Sequence, residues 1–256
     1  MTEAARPRRS VLYMPGAKAR AIEKSRGLPA DALILDLEDA VGPTEKELAR
    51  DLVVGALKEG GFGLREIIVR VNGLDTEWGE ADIRAAAAAA PDAILVPKVG
   101  SAADLHAVEK LMDEAGAPAT TRIWAMMETP IGILNAREIA EATPRLACFV
   151  MGTNDLVKEL EAAHTDARTE VMTSLGMCLL VARAFGLAIL DGVYNAYQDA
   201  DGNRAACALG KSMGFDGKTL IHPAQLEIAN EEFGPSEEAI ALARRQVAAF
   251  EETRAK

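Results

Sequence analysis

The chain has 256 residues, of which 49% are hydrophobic and 26% charged, and its formal net charge is −11 at pH 7. This length and composition can bury a substantial core, whereas the excess of acidic residues argues against a nucleic-acid-binding surface or an anionic membrane partner. The three cysteines are odd in number and widely spaced, which argues against a disulfide framework or a zinc site.

Short apolar runs, each typical of a buried β-strand, alternate with segments of helical character along the chain. Strands are predicted at residues 10–14, 32–37, 66–71, 93–98, 122–128, 146–151, 187–191 and 219–222. Helices are predicted at residues 18–27, 44–61, 80–90, 101–115, 130–142, 169–185 and 202–213, with a terminal helix at 236–253. Eight β–α repeats in about 250 residues favour an α/β fold, a single (β/α)₈ TIM-type barrel domain, over an open doubly wound sheet. We expect this domain to span residues 1–256.

Capping residues mark the predicted starts of three helices. Thr44 and Glu47 match a capping box, Ser101 precedes Asp104, and Ser236 precedes two glutamates.

The N-terminus lacks the apolar stretch of a signal peptide, and no apolar run is long enough for a membrane-spanning helix. We therefore expect a cytoplasmic protein with buried free thiols.

Ionisable residues cluster at the carboxyl ends of the predicted strands, where the loops of a (β/α)₈ barrel form the active site. In chain order these residues are Asp36, Glu38, Asp39, Arg70, Lys98, Glu128, Asp155, Asp191 and His222. Because all the strand ends meet at one mouth, we expect their side chains to converge. The stretch LILDLEDAVGP (33–43) places three carboxylates at this mouth.

Carboxylates crowded at one site repel one another and take up protons unless a cation is present. Arg70 supplies one permanent positive charge. Glu128 and Asp155 end consecutive strands and are predicted to be direct ligands of a divalent metal ion. Few protein carboxylates together with several waters suit Mg²⁺, and the lack of nearby His or Cys argues against zinc.

Each of these residues also has a structural explanation. Asp36 could cap the following loop or pair with a lysine in the barrel, and Arg70 could be a structural ion-pair partner of one of the nearby acids. Glu128 and Asp155 could each interact with a helix N-terminus. The joint occurrence at several strand ends favours a functional site. For His222 we expect a structural hydrogen bond rather than a catalytic role.

The chain resembles the citrate lyase β-subunit-like family, within the aldolase/citrate lyase group of the phosphoenolpyruvate/pyruvate superfamily. The matching stretches, in the order of the family, are RSVLYMPG (9–16), LILDLEDAV (33–41), IIVRVNG (67–73), ILVPKV (94–99), METPIGILNAREIA (127–140), GTNDL (152–156) and GFDGKTLIHPAQL (214–226). The resemblance implies a Mg²⁺-dependent carbon–carbon lyase. Its substrate would be a 3-hydroxyacyl-CoA of the citramalyl-CoA or malyl-CoA type, cleaved to acetyl-CoA and an α-keto acid.

The resemblance also implies roles for individual residues. Glu128 and Asp155 would hold Mg²⁺. Arg70 would contact the oxygens of the hydroxy or keto acid. Glu38 and Asp39 would complete the catalytic set by serving Arg70 or the waters of the metal.

Substrate and partner contacts follow from the same resemblance. The backbone amides of Gly152, Thr153 and Asn154, at the start of a helix, would receive the substrate's carboxylate. Lys18 and Arg20 would lie near the phosphates of CoA. Members of this family commonly form trimers, so we expect a homotrimer that binds small molecules and neither nucleic acid nor membrane.

One departure from the family pattern leaves the proton-transfer residue unassigned. Some related CoA lyases carry a longer C-terminal segment that supplies an acidic residue, and we expect this chain to lack it. Three alternatives remain: a metal-dependent aldolase for 4-hydroxy-2-oxo acids, a β-chain working inside a citrate lyase complex, and a non-catalytic keto-acid-binding protein. The first would need a histidine near the metal, and the early strands contain none.

Overall fold

Eight parallel strands, hydrogen-bonded in sequence order, close into a barrel. The computed structural model describes residues 6–254. The strands are β1 (Ser10–Pro15), β2 (Ala32–Asp36), β3 (Glu66–Arg70), β4 (Ala93–Val96), β5 (Arg122–Met127), β6 (Leu146–Met151), β7 (Ala188–Asp191) and β8 (Gly217–Leu220). Pairing of Ser10 with Lys218 and of Leu12 with Leu220 closes the ring. The predicted (β/α)₈ barrel is confirmed, whereas the assignment of residues 1–256 to one domain stays a prediction.

Helices cover the outside of the barrel and follow the strands in order. They are α1 (Ala19–Ser25), α2 (Lys46–Glu59), α3 (Gly79–Ala89), α4 (Ala102–Glu114), α5 (Pro130–Leu134), α6 (Ala136–Glu141), α7 (Thr153–Glu159), α8 (Met172–Phe185), α9 (Ala200–Met213), α10 (Leu226–Phe233) and α11 (Glu237–Arg254). Within residues 6–254, none of these helices has the length and apolar character needed to cross a bilayer.

The observed helices differ from the predicted ones in four places. The helix predicted at 130–142 is two helices, because the side-chain amide of Asn135 between them donates a hydrogen bond to the carbonyl of Gly100 (2.8 Å). A helix start was expected at residues 152–154, where α7 begins, but no bounds were predicted for that helix, and α10 was not predicted. The prediction that Thr44 and Glu47 form a capping box is wrong. Pro43–Glu45 forms a 3₁₀ turn, and α2 begins after it without a side-chain cap.

Two other predicted caps are confirmed. Asp104 Oδ2 accepts a hydrogen bond from the amide of Ser101 (2.9 Å), as in a capping box. Ser236 Oγ accepts one from the amide of Ala239 (3.1 Å) at the start of α11. Both contacts satisfy backbone groups that a helix leaves unpaired at its first turn.

The inside of the barrel is filled rather than open. Val11, Ile34, Ile68, Leu95 and Trp124 pack together there, each fully buried. A second apolar layer lies between the strands and the surrounding helices. Burial of each such side chain stabilises the fold by about 1.5–3 kcal/mol. Because these side chains fill the interior of the barrel, a ligand must bind at one of its two ends.

The three cysteines are free and buried, as predicted. Burial raises the pKa of Cys178 to about 12 and that of Cys207 to about 11, although the charge of Lys218 opposes the second shift. Thiols with such values carry very little thiolate at neutral pH, so they act as packing residues.

Candidate active site

A pocket of about 320 Å³ opens at the carboxyl ends of the strands. Its lining includes seven residues for which a role was predicted or considered: Asp36, Asp39, Arg70, Glu128, Thr153, Asn154 and Asp155. The backbone at Gly152 lines it as well. The ends of β2, β3, β5 and β6 therefore bring polar residues to one cavity. The expected convergence is incomplete, because Glu38 and Lys98 line a neighbouring pocket and neither Asp191 nor His222 lines this one.

Arg70 is the centre of the acidic cluster that follows β2. Its Nε and Nη2 donate to the two carboxylate oxygens of Asp36, at 2.6 and 2.5 Å. Its Nη1 lies 2.7 Å from Glu38 Oε2 and 3.3 Å from Asp39 Oδ2. Asp36 and Arg70 are direct register partners in the β2–β3 pair, so the geometry follows from the strand pairing. A bidentate pair of this kind is among the stronger charged contacts in proteins.

Asp36 has a structural role, as a cap of the loop after β2, which was one of the two explanations considered for it. Besides Arg70, its carboxylate accepts hydrogen bonds from the amides of Glu38 (2.9 Å) and Ala40 (3.1 Å). It therefore caps the loop after β2 and fixes Arg70 at the same time. These contacts hold both of its oxygens, so Asp36 positions the site instead of offering a free ligand.

Glu38 contributes an oxygen without a hydrogen bond. Its Oε2 is within ion-pair distance of Arg70, but no N–H is directed at it. Burial raises the pKa of Glu38 to about 7, although Arg70 opposes this shift. A buried carboxylate oxygen without a donor can accept a hydrogen bond from a metal-bound water or a substrate hydroxyl.

Glu128 is almost completely buried, at 2% exposure. Its Oε1 accepts a hydrogen bond from the amide of Lys98 (2.8 Å). Burial, with the charges of Glu38 and Asp155, raises the pKa of Glu128 to about 8. A Cβ at position 152 would lie 2.3 Å from Glu128 Oε2, so Gly152 leaves the space that this carboxylate occupies.

These residues fit a Mg²⁺ ion. The buried Glu128 carboxylate, with its raised pKa, lacks a compensating charge, which a divalent cation between Glu128 and Asp155 would supply. Among residues 6–254, no group of three or more His, Cys, Asp or Glu side chains is arranged to hold a metal. Mg²⁺ is commonly held by two protein carboxylates, with water or substrate oxygens completing its coordination shell. Zinc seldom has this set of ligands.

Lys98 has a role that the sequence did not reveal. Its φ of +49° lies in the left-handed region, which is uncommon outside glycine. This conformation accompanies the amide contact with Glu128. Although burial lowers it, the charges of Asp155 and Glu38 raise the pKa of Lys98 overall. Strained backbone at a strand end is a feature of functional sites.

Lys46, near the start of α2, was also missed. It is buried, and its ammonium donates to the carbonyls of Leu37 (2.8 Å) and Glu38 (2.7 Å) and to Asn72 Oδ1 (2.7 Å). It thereby holds the loop that carries Glu38 and Asp39. A lysine in a first helical turn is usually solvated, so no sequence signal pointed to this contact.

Lys18 and Arg20 lie outside the pocket. Lys18 is exposed and 3.9 Å from Glu45, and Arg20 lines a groove between α1 and α2.

His222 forms a structural hydrogen bond, as expected: its Nδ1 accepts from the amide of Ala224 (3.1 Å).

Asp191, at the end of β7, is also structural. It is fully buried and binds Arg168 (2.6 and 2.9 Å) and Lys218 (2.8 Å). Although burial alone raises it, the charges of Lys218 and Arg168 bring the pKa of Asp191 below its ordinary value. This network joins the end of β7 to the start of β8, and its three residues do not line the pocket.

Comparison with known proteins agrees with this architecture. The chain is 58% identical over 252 residues to the (3S)-malyl-CoA thioesterase of Cereibacter sphaeroides (strain ATCC 17025), covering 98% of this chain and 86% of that protein. It is 38% identical over 251 residues to the citrate lyase subunit beta of Escherichia coli K12, covering 96% and 83%.

Solved structures give the same result. The CitE protein of Mycobacterium tuberculosis in complex with magnesium, acetoacetate and coenzyme A superposes with a TM-score of 0.77 at 29% identity, covering 99% of this chain and 89% of that one. RipC from Yersinia pestis superposes with a TM-score of 0.77 at 30% identity, covering 90% and 97%. The family model described as HpcH/HpaI aldolase/citrate lyase matches residues 9–223. The chain belongs to the HpcH/HpaI aldolase/citrate lyase family.

Proposed function

We propose that this chain is a Mg²⁺-dependent carbon–carbon lyase that cleaves a 3-hydroxyacyl-CoA of the malyl-CoA or citramalyl-CoA type to acetyl-CoA and an α-keto acid. One observation carries this proposal: Glu128 and Asp155 line one pocket together with a buried arginine. The CitE relative solved with magnesium, acetoacetate and coenzyme A supports the ligand classes.

The residues of the site divide the chemistry among them. Glu128 and Asp155 would hold Mg²⁺, whose charge polarises the hydroxyl and carboxylate oxygens of a hydroxy acid. Arg70, fixed by Asp36, presents a permanent positive charge to the oxygen on which negative charge develops. One such fixed donor typically lowers a barrier by roughly 3 kcal/mol. Glu38 completes the set by accepting from a water or hydroxyl group at its free oxygen.

The bond changes balance without an external reagent. The hydroxyl proton leaves, the carbon–carbon bond breaks, and its electron pair passes to the thioester half as the enolate of acetyl-CoA. The carbon that bore the hydroxyl becomes the carbonyl of the keto acid. Protonation of the enolate then gives acetyl-CoA.

Further contacts are part of the proposal. The main chain at Gly152, Thr153 and Asn154 lines the pocket and would receive the substrate's carboxylate. Lys18 and Arg20, both exposed near the end of β1, would contact the CoA phosphates.

The wider setting is also a proposal. We propose a homotrimer, and the exposed apolar side chains of α11, among them Val247 and Phe250, support self-association. Free buried thiols are in keeping with the reducing cytoplasm.

The relatives favour a second candidate, hydrolysis of the thioester of (3S)-malyl-CoA. Proteins of that name are 58–59% identical to this chain. The same metal and arginine would bind the malyl group, but water would attack the thioester carbonyl and break the carbon–sulfur bond. The products would then be malate and free CoA.

One experiment separates the two reactions. The protein is incubated with Mg²⁺ and either (3S)-malyl-CoA or citramalyl-CoA, and acetyl-CoA, keto acid and free thiol are each quantified. Equal amounts of acetyl-CoA and keto acid, lost on treatment with EDTA, are expected for the lyase. Free thiol without keto acid would establish hydrolysis, and no turnover of either thioester would contradict both candidates.

The space beside Glu128 gives a further test of the metal site. A Gly152→Ala variant is expected to bind Mg²⁺ at least about tenfold more weakly in calorimetry with glyoxylate, because its Cβ would displace the Glu128 carboxylate. Gly176→Ala in α8 is the matched control, since nothing lies within 4 Å of a Cβ there. The control should stabilise the fold by about 0.5–1 kcal/mol and leave Mg²⁺ affinity unchanged. Equal affinities in the two variants would argue against Glu128 as a ligand.

A further inference from the structure

Tyr13, on β1, lies at the floor of the pocket beneath Arg70 and has no established role. Its ring centroid is 4.8 Å from the guanidinium carbon of Arg70. Its hydroxyl points across the barrel to β5, where it lies 3.6 Å from Met126 Sδ. Tyr13 and Met126 both line the pocket.

The Tyr13 hydroxyl lacks a strong acceptor. Within the part of the chain that the structure describes, Met126 Sδ is its one hydrogen-bond partner, and a thioether is a weak acceptor. Burial raises the pKa of Tyr13 above its usual value, although Arg70 opposes the shift. The phenol therefore remains a neutral donor. Because Tyr13 is only partly buried and lines the pocket, this donor is available to an acceptor on a ligand.

The position of this hydroxyl indicates which half of a substrate it meets. Met126 is on β5 and Glu128 directly follows the last residue of this strand, two residues later, so their side chains point to the same face, one layer apart. The phenol therefore lies one layer below Arg70 and Glu128, the groups proposed to hold the hydroxy acid. The long CoA portion must leave through the mouth above, so the hydroxyl faces the small acid.

We propose that the Tyr13 hydroxyl donates a hydrogen bond to the small-acid half of the substrate and thereby selects a glyoxylate unit over the methyl-bearing pyruvate unit. This inference rests on the proposed function and narrows its substrate to the malyl type. A methyl group against the phenol would leave the hydroxyl without an acceptor, whereas the smaller unit leaves space for an oxygen. A methyl-sized difference of this kind typically changes specificity by at least about tenfold.

A purely supporting role for Tyr13 would depend on its ring instead of its hydroxyl. The ring stacks on Arg70, and that cation–π contact needs no oxygen. Tyr13→Phe keeps the ring and removes only the hydroxyl. Tyr197→Phe is the matched control, because Tyr197 is exposed, stacks on His222 and lies outside the pocket.

The test compares wild type, Tyr13→Phe and Tyr197→Phe. It measures kcat/KM for malyl-CoA and citramalyl-CoA with Mg²⁺, and calorimetric binding of glyoxylate and pyruvate with Mg²⁺. Tyr13→Phe is expected to lower kcat/KM for malyl-CoA and the affinity for glyoxylate by about tenfold or more. The decreases in kcat/KM for citramalyl-CoA and in the affinity for pyruvate should be smaller. Tyr197→Phe should have the wild-type values throughout.

The possible failures are distinguishable. Wild-type turnover with an unaltered Tyr13→Phe variant would overturn the role of Tyr13 and leave the proposed function standing. Weakened glyoxylate binding in Tyr13→Phe, with no wild-type turnover of any CoA thioester, would support the contact while contradicting the proposed function. An equal decrease in kcat/KM for malyl-CoA and citramalyl-CoA in Tyr13→Phe would overturn the proposal that this hydroxyl selects the smaller acid.

Discussion

A Glu128→Gln variant is expected to lose about a thousandfold or more of turnover on its CoA thioester while unfolding at nearly the wild-type temperature. Loss of a metal's Lewis acidity removes several kcal/mol of transition-state stabilisation, and each 1.36 kcal/mol is a factor of ten. The fold should tolerate glutamine because its oxygen can still accept from the Lys98 amide, as Glu128 Oε1 does at 2.8 Å. Steady-state kinetics and thermal unfolding measure the two effects.

A matched control for this variant is Glu141→Gln, on the exposed surface of α6. It removes the same charge far from the pocket, where a surface ion pair contributes little. It should leave turnover, Mg²⁺ affinity and the unfolding temperature unchanged. If Glu128→Gln kept a tenth of wild-type turnover or more, Glu128 would not be a metal ligand.

Replacing Arg70 by methionine is expected to abolish turnover and to destabilise the fold by about 3–5 kcal/mol, because it leaves buried carboxylates without their partner. Asp36 is 1% exposed and depends on Arg70 for two hydrogen bonds. Adding Asp36→Asn should recover part of the stability, since it removes the unpaired charge, but none of the turnover. Chemical denaturation gives the stability and initial rates give the activity.

Arg8→Met is the control that separates stability from catalysis. Arg8 binds Glu66 through two hydrogen bonds of 2.7 and 2.8 Å, and Glu66 is the first residue of β3, at the opposite end of the barrel. This variant should lose stability and still turn over substrate while folded. Comparable activity in Arg70→Met and Arg8→Met would mean that Arg70 only supports the fold.

The strand ends could be predicted from the sequence because parallel pairing fixes where they meet. Once eight apolar runs form one barrel, every carboxyl end lies at the same mouth. The β2–β3 register then places Asp36 beside Arg70. Glu128 and Asp155 line one pocket for the same reason. This part of the site depends on periodicity and topology, which a single sequence carries.

Other features depend on contacts between residues far apart in the chain. The break at Asn135 arises from its bond to Gly100, and the burial of Lys46 arises from carbonyls of the preceding loop. Neither residue differs locally from one in an ordinary helix. Tyr13 was missed for a related reason: an aromatic residue within an apolar strand is typical of a core position, and only the barrel's closure shows that its hydroxyl faces a cavity.

The most direct measurement of the central claim is anomalous diffraction from crystals grown with Mn²⁺, as a substitute for Mg²⁺, and glyoxylate. The expected result is one anomalous peak bonded to carboxylate oxygens of Glu128 and Asp155, at roughly 2.1 Å. A peak bonded to other residues, or no peak in the pocket while glyoxylate occupies it, would contradict the claim that these two carboxylates hold the catalytic cation.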